Sequence, residues 1–305
     1  MLTTKDLLKT DRRKIREHWK KSDAQMEIEI GIIRNWIKTQ KHLPEVPCDK
    51  TIEYFLTNCK FSTEKTKRTL DMYYTVRDLI PDFYENKHPG SDRMKLINEV
   101  LYTLPLPELT ENLHRITIFK LNDVDPDTFD IYDHAGQFLR NLFEIKTKED
   151  LTLGEIFVMD CKHAKFATII KCTPMYVKKI AFVLENVWAN RLNEMHLVNV
   201  PTYMDRLIAL SRTLLSKKLR ERIYVHESLD DMFKAVPQEL LPSDYGGKAP
   251  SMDELKKLWI AKFKEYTERF DKMEELKVNE KLRPEKMENS ELLGYHGNFK
   301  KIDVD

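Results

Sequence analysis

The sequence predicts an α/β protein: a helical N-terminal bundle, then a larger domain in which helices flank a mostly parallel sheet. Two observations predict it. Residues 5–77 carry apolar side chains at spacings of three and four, the helical period. Beyond them, four short runs rich in β-branched and aromatic residues alternate with helical stretches, and crossovers of that length join parallel strands.

In the first segment Met26, Ile30, Ile33 and Ile37 mark one helix, and Leu70, Tyr73 or Tyr74, and Arg77 another. Pro44 and Pro47 in HLPEVPCD separate helices, and Ser62 before TEKTKR is a candidate N-cap. The expected strands are RITIFKL (115–121), EIFVMDC (155–161), MHLVNV (195–200) and ERIYVHE (221–227). Pro126 in DPDTF and Pro174 in TPMYV open intervening helices, where a missing N–H costs nothing. Ser251 and Glu254 form a capping-box start for a last helix with the stripe Leu255, Trp259, Phe263, Tyr266 and Phe270. From Lys277 the chain turns polar, and a loosely attached tail is expected. The predicted units are 1–90, 91–250 and 251–305.

Composition narrows function by exclusion. Lys+Arg 51 against Asp+Glu 50 gives a net charge of +1, so no global field draws the chain to nucleic acid or anionic membrane. The start lacks the apolar run of a secretory signal, and no stretch reaches the roughly 20 apolar residues of a spanning helix. A soluble, intracellular protein is expected. Cys48, Cys59, Cys161 and Cys172 are scattered and form no CxxC, which predicts reduced thiols and neither a disulfide frame nor a zinc site.

The most specific segment is LPSDYGGK, residues 241–248. It resembles the LPxEYGG signature that closes the lipid-binding domain of CRAL-TRIO proteins, the family of tocopherol-transfer proteins, retinaldehyde-binding proteins and clavesins. Other landmarks follow in the family's order: FVMD at 157–160, TPMYVKKIAFVLENVWANRL, MHLVNVP, LSKKLRERIYVH, and TIEYFLTNCKFSTEKTKRTL in the helical domain. Three departures stand out. His163 follows Asp160 where the family has Gly, Ala189 replaces a Pro, and Leu56-Thr57-Asn58-Cys59 stands where Leu-Arg-Ala-Arg is common.

The resemblance implies a lipid cavity closed by a gate helix, with a bound hydrophobic lipid, no other cofactor and no catalysis. Positions matching ligand-lining residues of tocopherol-binding relatives are Phe119, Met159, Phe166, Ile180, Val183, Leu184, Leu192 and Met195. Phe138 and Leu142 match two serines there, so this pocket should offer fewer polar handles. Each of these residues also reads as ordinary packed core. In the gate, Tyr203, Leu207, Leu210 and Leu214 share one helical face with Met204, Ile208 and Leu215 beside it. Arg191, Lys218 and Arg222 match a phosphoinositide-headgroup cleft, whereas a fourth cationic position is Asn193. The same run, with Glu221, also reads as a solvated charged face.

Enclosing ~500 Å² of apolar ligand at ~25 cal/mol per Å² yields on the order of 12 kcal/mol, less association costs of ~4 or more. An isoprenoid-like cargo such as a carotenoid, retinoid or tocopherol therefore needs no ion pair, whereas a phospholipid needs buried charge partners. The expected partners are that cargo and a phosphoinositide-bearing membrane, not nucleic acid: DRRKIREHWKK pairs its basic face with Asp11, Glu17 and a packing stripe of Ile15 and Trp19. Two rivals remain. Asp160, Cys161 and His163 lie together after a strand, although no GxSxG, Walker or GxGxxG pattern supports an enzyme. A lipid-sensing interaction protein would use the same pocket without bulk transfer.

Overall fold

A computed structural model of the chain describes residues 2–188 and 192–285. Helices α1 (Arg12–His18), α2 (Asp23–Thr39), α3 (Asp49–Asn58) and α4 (Thr63–Leu79) form the N-terminal bundle, followed by the short α5 (Pro81–Tyr84) and α6 (Asp92–Val100). Ser22 caps α2 in a capping box with Gln25, and Ser62 caps α4 through Lys65 N. Met26, Ile30, Ile33 and Ile37 are all buried, as their spacing predicts. So are Leu56, Thr57, Asn58 and Cys59, the stretch that departs from the family pattern.

The sheet has five strands in the order of the chain: β1 (Leu101–Leu109), β2 (His114–Leu121), β3 (Gly154–Asp160), β4 (Leu192–Val198) and β5 (Ile223–Val225). β1 runs antiparallel to β2, and the remaining pairs are parallel. β1 is the strand that sequence reasoning missed, because LYTLPLPEL holds Pro105 and Pro107, which cannot donate to a ladder and survive only at an edge or bulge. It is an edge strand, and its register breaks between Pro105 and Leu109. The guanidinium of the fully buried Arg115 donates to the carbonyls of Leu106 and Pro107 at 2.8 and 2.6 Å, satisfying acceptors in the irregular segment.

Between β2 and β3 the chain forms one continuous helical rod: α7 (Ile131–Gly136), a wider π-helical turn over Gln137–Leu142, and α8 (Phe143–Glu149). Asp130 caps it, so the helix starts five residues after Pro126, which opens only a short 3-10 turn. Phe143 receives Tyr54, Phe55 and Tyr73 of the N-terminal bundle at ring distances of 5.9, 6.3 and 5.9 Å, joining the two regions in one core. Next come α9 (Phe166–Ile169) and α10 (Pro174–Asn186), the latter capped by Thr173. After β4 lie α11 (Asp205–Leu214) and α12 (Lys217–Arg220), and after β5, α13 (Leu229–Phe233).

The C-terminal helix divides at Tyr266 into α14 (Met252–Glu265) and α15 (Thr267–Glu275). Leu255, Trp259, Phe263 and Phe270 are buried, and Trp259 Nε1 donates to the Pro105 carbonyl at 3.3 Å, fixing α14 to β1. The expected loose tail does not begin at Lys277. Arg283 Nη1 donates to both carboxylate oxygens of Asp71, at 2.7 and 2.8 Å, and Asn279 N donates to the His42 carbonyl, so the chain is strapped back to the bundle as far as residue 283.

Candidate functional site

Alternate residues share a face of a strand, so Arg115, Thr117, Phe119 and Leu121 of β2 project with Glu155, Phe157 and Met159 of β3 and Met195 and Leu197 of β4. Near the strand starts this face is filled by a buried charge cluster. Lys146 of α8 pairs with Asp150 at 2.7 Å and Glu155 at 2.8 Å, and Arg115 pairs with Asp150 at 2.7 Å. Burial opposes the Asp150 charge, but Arg115 and Lys146 together hold its carboxyl well below the usual range. Above the cluster, Phe138 and Trp188 close over Phe157, with Phe138 4.3 Å from Trp188 and 5.4 Å from Phe157.

Toward the strand ends the same face opens into a cavity of about 300 Å³. Its floor is Phe119, Leu121, Met159, Met195, Leu197 and Ile223, and Tyr176, Val177, Ile180 and Leu184 of α10 form a wall. Leu192, Phe129, Ile131, Cys161, Ile169 and Cys172 extend the apolar lining. Burial pushes the thiols of Cys161 and Cys172 up to about 12 and about 11, so both behave as small apolar groups. The cavity lies at the carboxyl ends of the parallel strands, where α/β sheets receive ligands, and its size is at the small end of known ligand sites.

α11 covers the opening. It turns Leu207, Ile208 and Ser211 inward, with Met204 and Leu215 flanking it at the cavity, whereas Tyr203 and Leu210 stand exposed on the outer side and Leu214 is half-buried. Every residue of α11 remains at least partly accessible. The helix is fastened near its two ends: the Tyr203 hydroxyl donates to the Ala164 carbonyl, and Arg212 Nη2 donates to the Ile223 carbonyl at 3.1 Å.

Of the ten pocket positions expected from sequence, the structure brings six to the cavity wall: Phe119, Met159, Ile180, Leu184, Leu192 and Met195. Four go elsewhere. Phe138 lies behind Phe119, 4.8 Å from it, in the aromatic stack with Trp188, and Leu142 is buried one turn further along the rod. Val183 is buried on α10 beside the lining residues and does not reach the cavity. Phe166 is 61% exposed, because α9 directs Thr168 and Ile169 to the cavity instead, and its ring meets Tyr203 at 5.9 Å. Within the gate Leu207 faces the cavity, whereas Tyr203 and Leu210 do not. Sequence reasoning missed His134, which lies on the helix expected to open at Pro126. DPDTFDIYDH was the available signal, with an Asp cap and Ile131 and His134 three apart.

The expected phosphoinositide cleft is placed only in part. Lys218 lies exposed on α12 beside Lys217 and Arg220, while the guanidinium of Arg222 donates to the Leu192 carbonyl and is drawn toward β4. Arg191 lies outside the described residues, as does Ala189. The Asp160, Cys161 and His163 group is not assembled for nucleophilic chemistry: Asp160 accepts bonds from Tyr245 and Asn199, and Cys161 Sγ contacts the Met159 carbonyl at 3.6 Å. Among the described residues no cluster of three or more His, Cys, Asp or Glu could hold a metal ion, and no helix is long and apolar enough to cross a membrane.

Comparison with known proteins agrees with this architecture. The CRAL/TRIO domain family matches residues 101–247, and the family described as "Pinta-like, UBA domain" matches residues 22–94. The chain is 23% identical to the human protein named "Alpha-tocopherol transfer protein-like" over 257 residues, covering 82% of this chain and 72% of that one. It is 27% identical over 235 residues to rat Clavesin-1, covering 74% of this chain and 64% of that one. The crystal structure of Sfh5 aligns over 86% of this chain and 100% of its own, at 15% identity and a TM-score of 0.43. The parallel sheet, the roofed apolar cavity and the family match identify residues 101–247 as a CRAL-TRIO domain, the domain of a family of lipid-binding and lipid-transfer proteins.

Proposed function

We propose that this protein carries one small, strongly hydrophobic molecule of the carotenoid, retinoid or tocopherol type and unloads it at a phosphoinositide-bearing membrane. The observation that carries the reading is the cavity, whose walls from β1 to β5 are almost wholly hydrocarbon, ring and thiol. Such walls reward an apolar guest and leave a phosphate without charge partners.

The membrane half rests on the outer surface of the roof. Phe166, Ile170, Tyr203 and Leu210 are 61%, 59%, 41% and 47% exposed, and the Phe166–Tyr203 ring contact links α9 to the gate. Side chains of this kind on a movable roof enter a bilayer favourably, and the neighbouring Lys217, Lys218 and Arg220 add attraction to anionic headgroups. The experiment is transfer of all-trans-retinol between vesicles with and without phosphatidylinositol 4,5-bisphosphate. The expected result is protein-dependent transfer that speeds up on phosphoinositide acceptors. Binding of retinol without transfer would overturn carriage in favour of lipid sensing.

A further inference from the structure

Among the ionisable side chains described at the cavity wall, one carries a buried nitrogen that the fold leaves without a partner. His134, on α7, lies between Phe119 and Phe129, 6.1 Å from each ring, and its Nε2 is buried with no hydrogen-bond partner among the described residues. Other ionisable groups at the wall are already engaged. Asp160 accepts from the Tyr245 hydroxyl, Asn199 Nδ2 and Lys162 N, and Lys120 lies 3.5 Å from Asp160 and over the Tyr245 ring. These hold the end of β3. The hydroxyls of Thr168 and Ser211 belong to α9 and the gate, on the roof side. A buried ring nitrogen with nothing to bond is costly, and an aliphatic residue would fill the position at no such cost.

We infer that His134 is the specificity-determining residue of the cavity and recognises a neutral oxygen, a hydroxyl or a carbonyl, at one end of the ligand. The inference rests on the carrier reading and orients its cargo. The cavity reaches from Leu101 of β1 to Ile223 of β5, four strand spacings or about 19 Å. His134 sits over β2, so the oxygen lies at the β1–β2 end and the hydrocarbon chain runs beneath the gate toward β5. A neutral imidazole offers one N–H and one lone pair, which matches a hydroxyl or carbonyl. A carboxylate is discriminated against, because it is best met by an imidazolium, and burial pushes His134 down to about 4, keeping the ring neutral at pH 7.

The test uses one hydrocarbon skeleton with three ends: phytol, phytanic acid and phytane, each displacing Nile red from the full-length protein at pH 7.5. Wild type is expected to bind phytol at least tenfold more tightly than phytane and more tightly than phytanic acid. His134→Leu should bring phytol within about twofold of phytane by weakening phytol alone, and His134→Gln, which keeps a donor and an acceptor, should restore part of the preference. Ligand-free His134→Leu should melt no lower than wild type, since the change removes an unpartnered polar group. A phytol preference that survives in His134→Leu, tighter binding of phytanic acid, or equal weakening of all three ligands would overturn the inference and leave carriage standing. Failure of all three to displace the dye from any variant would overturn the carrier reading, and this inference with it.

Discussion

The phenol of Tyr245 donates a 2.8 Å hydrogen bond to Oδ2 of Asp160, tying residues 85 apart at the rim of the cavity. The other carboxylate oxygen accepts from Asn199 Nδ2 at 2.8 Å and Lys162 N at 3.1 Å, and Asn199 takes a left-handed conformation with φ 54°. One carboxylate thus gathers the ends of β3 and β4 and the loop around Tyr245. Burial would raise its pKa, but these donors outweigh it and hold Asp160 below its ordinary 3.8. A depressed carboxyl stabilises the fold above that ordinary value, and its contribution is lost as pH falls through the folded value. Tyr245→Phe removes one donor, so it is expected to cost about 1–2 kcal/mol at pH 7, with a smaller deficit at pH 3. Urea unfolding at both pH values checks this; an identical deficit at each would show that the bond does not act through the charged form.

The two glycines that follow Tyr245 do different work. Gly246 sits at φ +74°, where an L-residue is strained, but an added Cβ would meet only the end of the Gln238 side chain, at 2.9 Å. At Gly247 a Cβ would lie 1.9 Å from the Leu241 carbonyl oxygen and 2.5 Å from that of Gln238, both main chain. Gly246→Ala should therefore cost about 1–2 kcal/mol, the left-handed penalty. Gly247→Ala should force the loop apart and cost more, read as a larger drop in melting temperature. Equal drops for the two would mean that the 241–247 turn yields more easily than its contacts imply.

Asp150 is the shared counter-ion of Arg115 and Lys146, and all three side chains are fully buried. Lys146 retains Glu155, and Arg115 retains the carbonyls of Lys9, Leu106 and Pro107, yet the cluster would gain a net positive charge without Asp150. Asp150→Ala is expected to cost about 3–5 kcal/mol, since removing one partner leaves an uncompensated buried charge. Asp150→Asn, which keeps the shape and an acceptor, should cost less. Denaturant midpoints followed by tryptophan fluorescence decide; a loss under ~1 kcal/mol for the alanine variant would indicate that water enters the site.

Much of the architecture was legible in the chain. The parallel strands announced themselves as β-branched runs, and the LPSDYGG turn as residues whose geometry only glycine tolerates. β1 was not legible, because Pro105 and Pro107 argue against a strand unless Arg115 is known to satisfy its carbonyls. Cavity and core could not be separated at Phe138, Leu142 and Val183, since identical side chains serve either purpose. What decides is the stacking of Trp188 on Phe143 and Phe138, a relation between distant segments. The gate was ambiguous for a similar reason: α11 turns apolar side chains to the cavity but also exposes Leu210 on its exterior among Asp205, Arg206 and Thr213.

That gate is held by few bonds, which makes its opening testable. Arg212 reaches the Ile223 carbonyl from α11, and Arg212 Nε is buried without a partner among the described residues, so the side chain is committed to the closed position. Arg212→Ala should leave equilibrium binding of retinol within about threefold while raising its release rate severalfold, as expected when a closed state loses one hydrogen bond. Stopped-flow transfer to vesicles measures both, and unchanged release would mean that the helix does not move as the ligand leaves.

Acid should reveal His134 without any ligand. Burial is what lowers this imidazole from 6.5 to about 4, so the folded protein refuses a proton that the unfolded chain accepts. Between those values stability falls as pH falls, by on the order of 3 kcal/mol in full, and the effect levels off below the folded value. His134→Leu removes this slope and leaves those of other groups, such as His196, which burial also lowers. The difference in urea midpoint between His134→Leu and wild type should therefore widen in favour of the variant from pH 7.5 to pH 4.5. A constant difference would show that the ring protonates freely in the fold and that its nitrogen already reaches water.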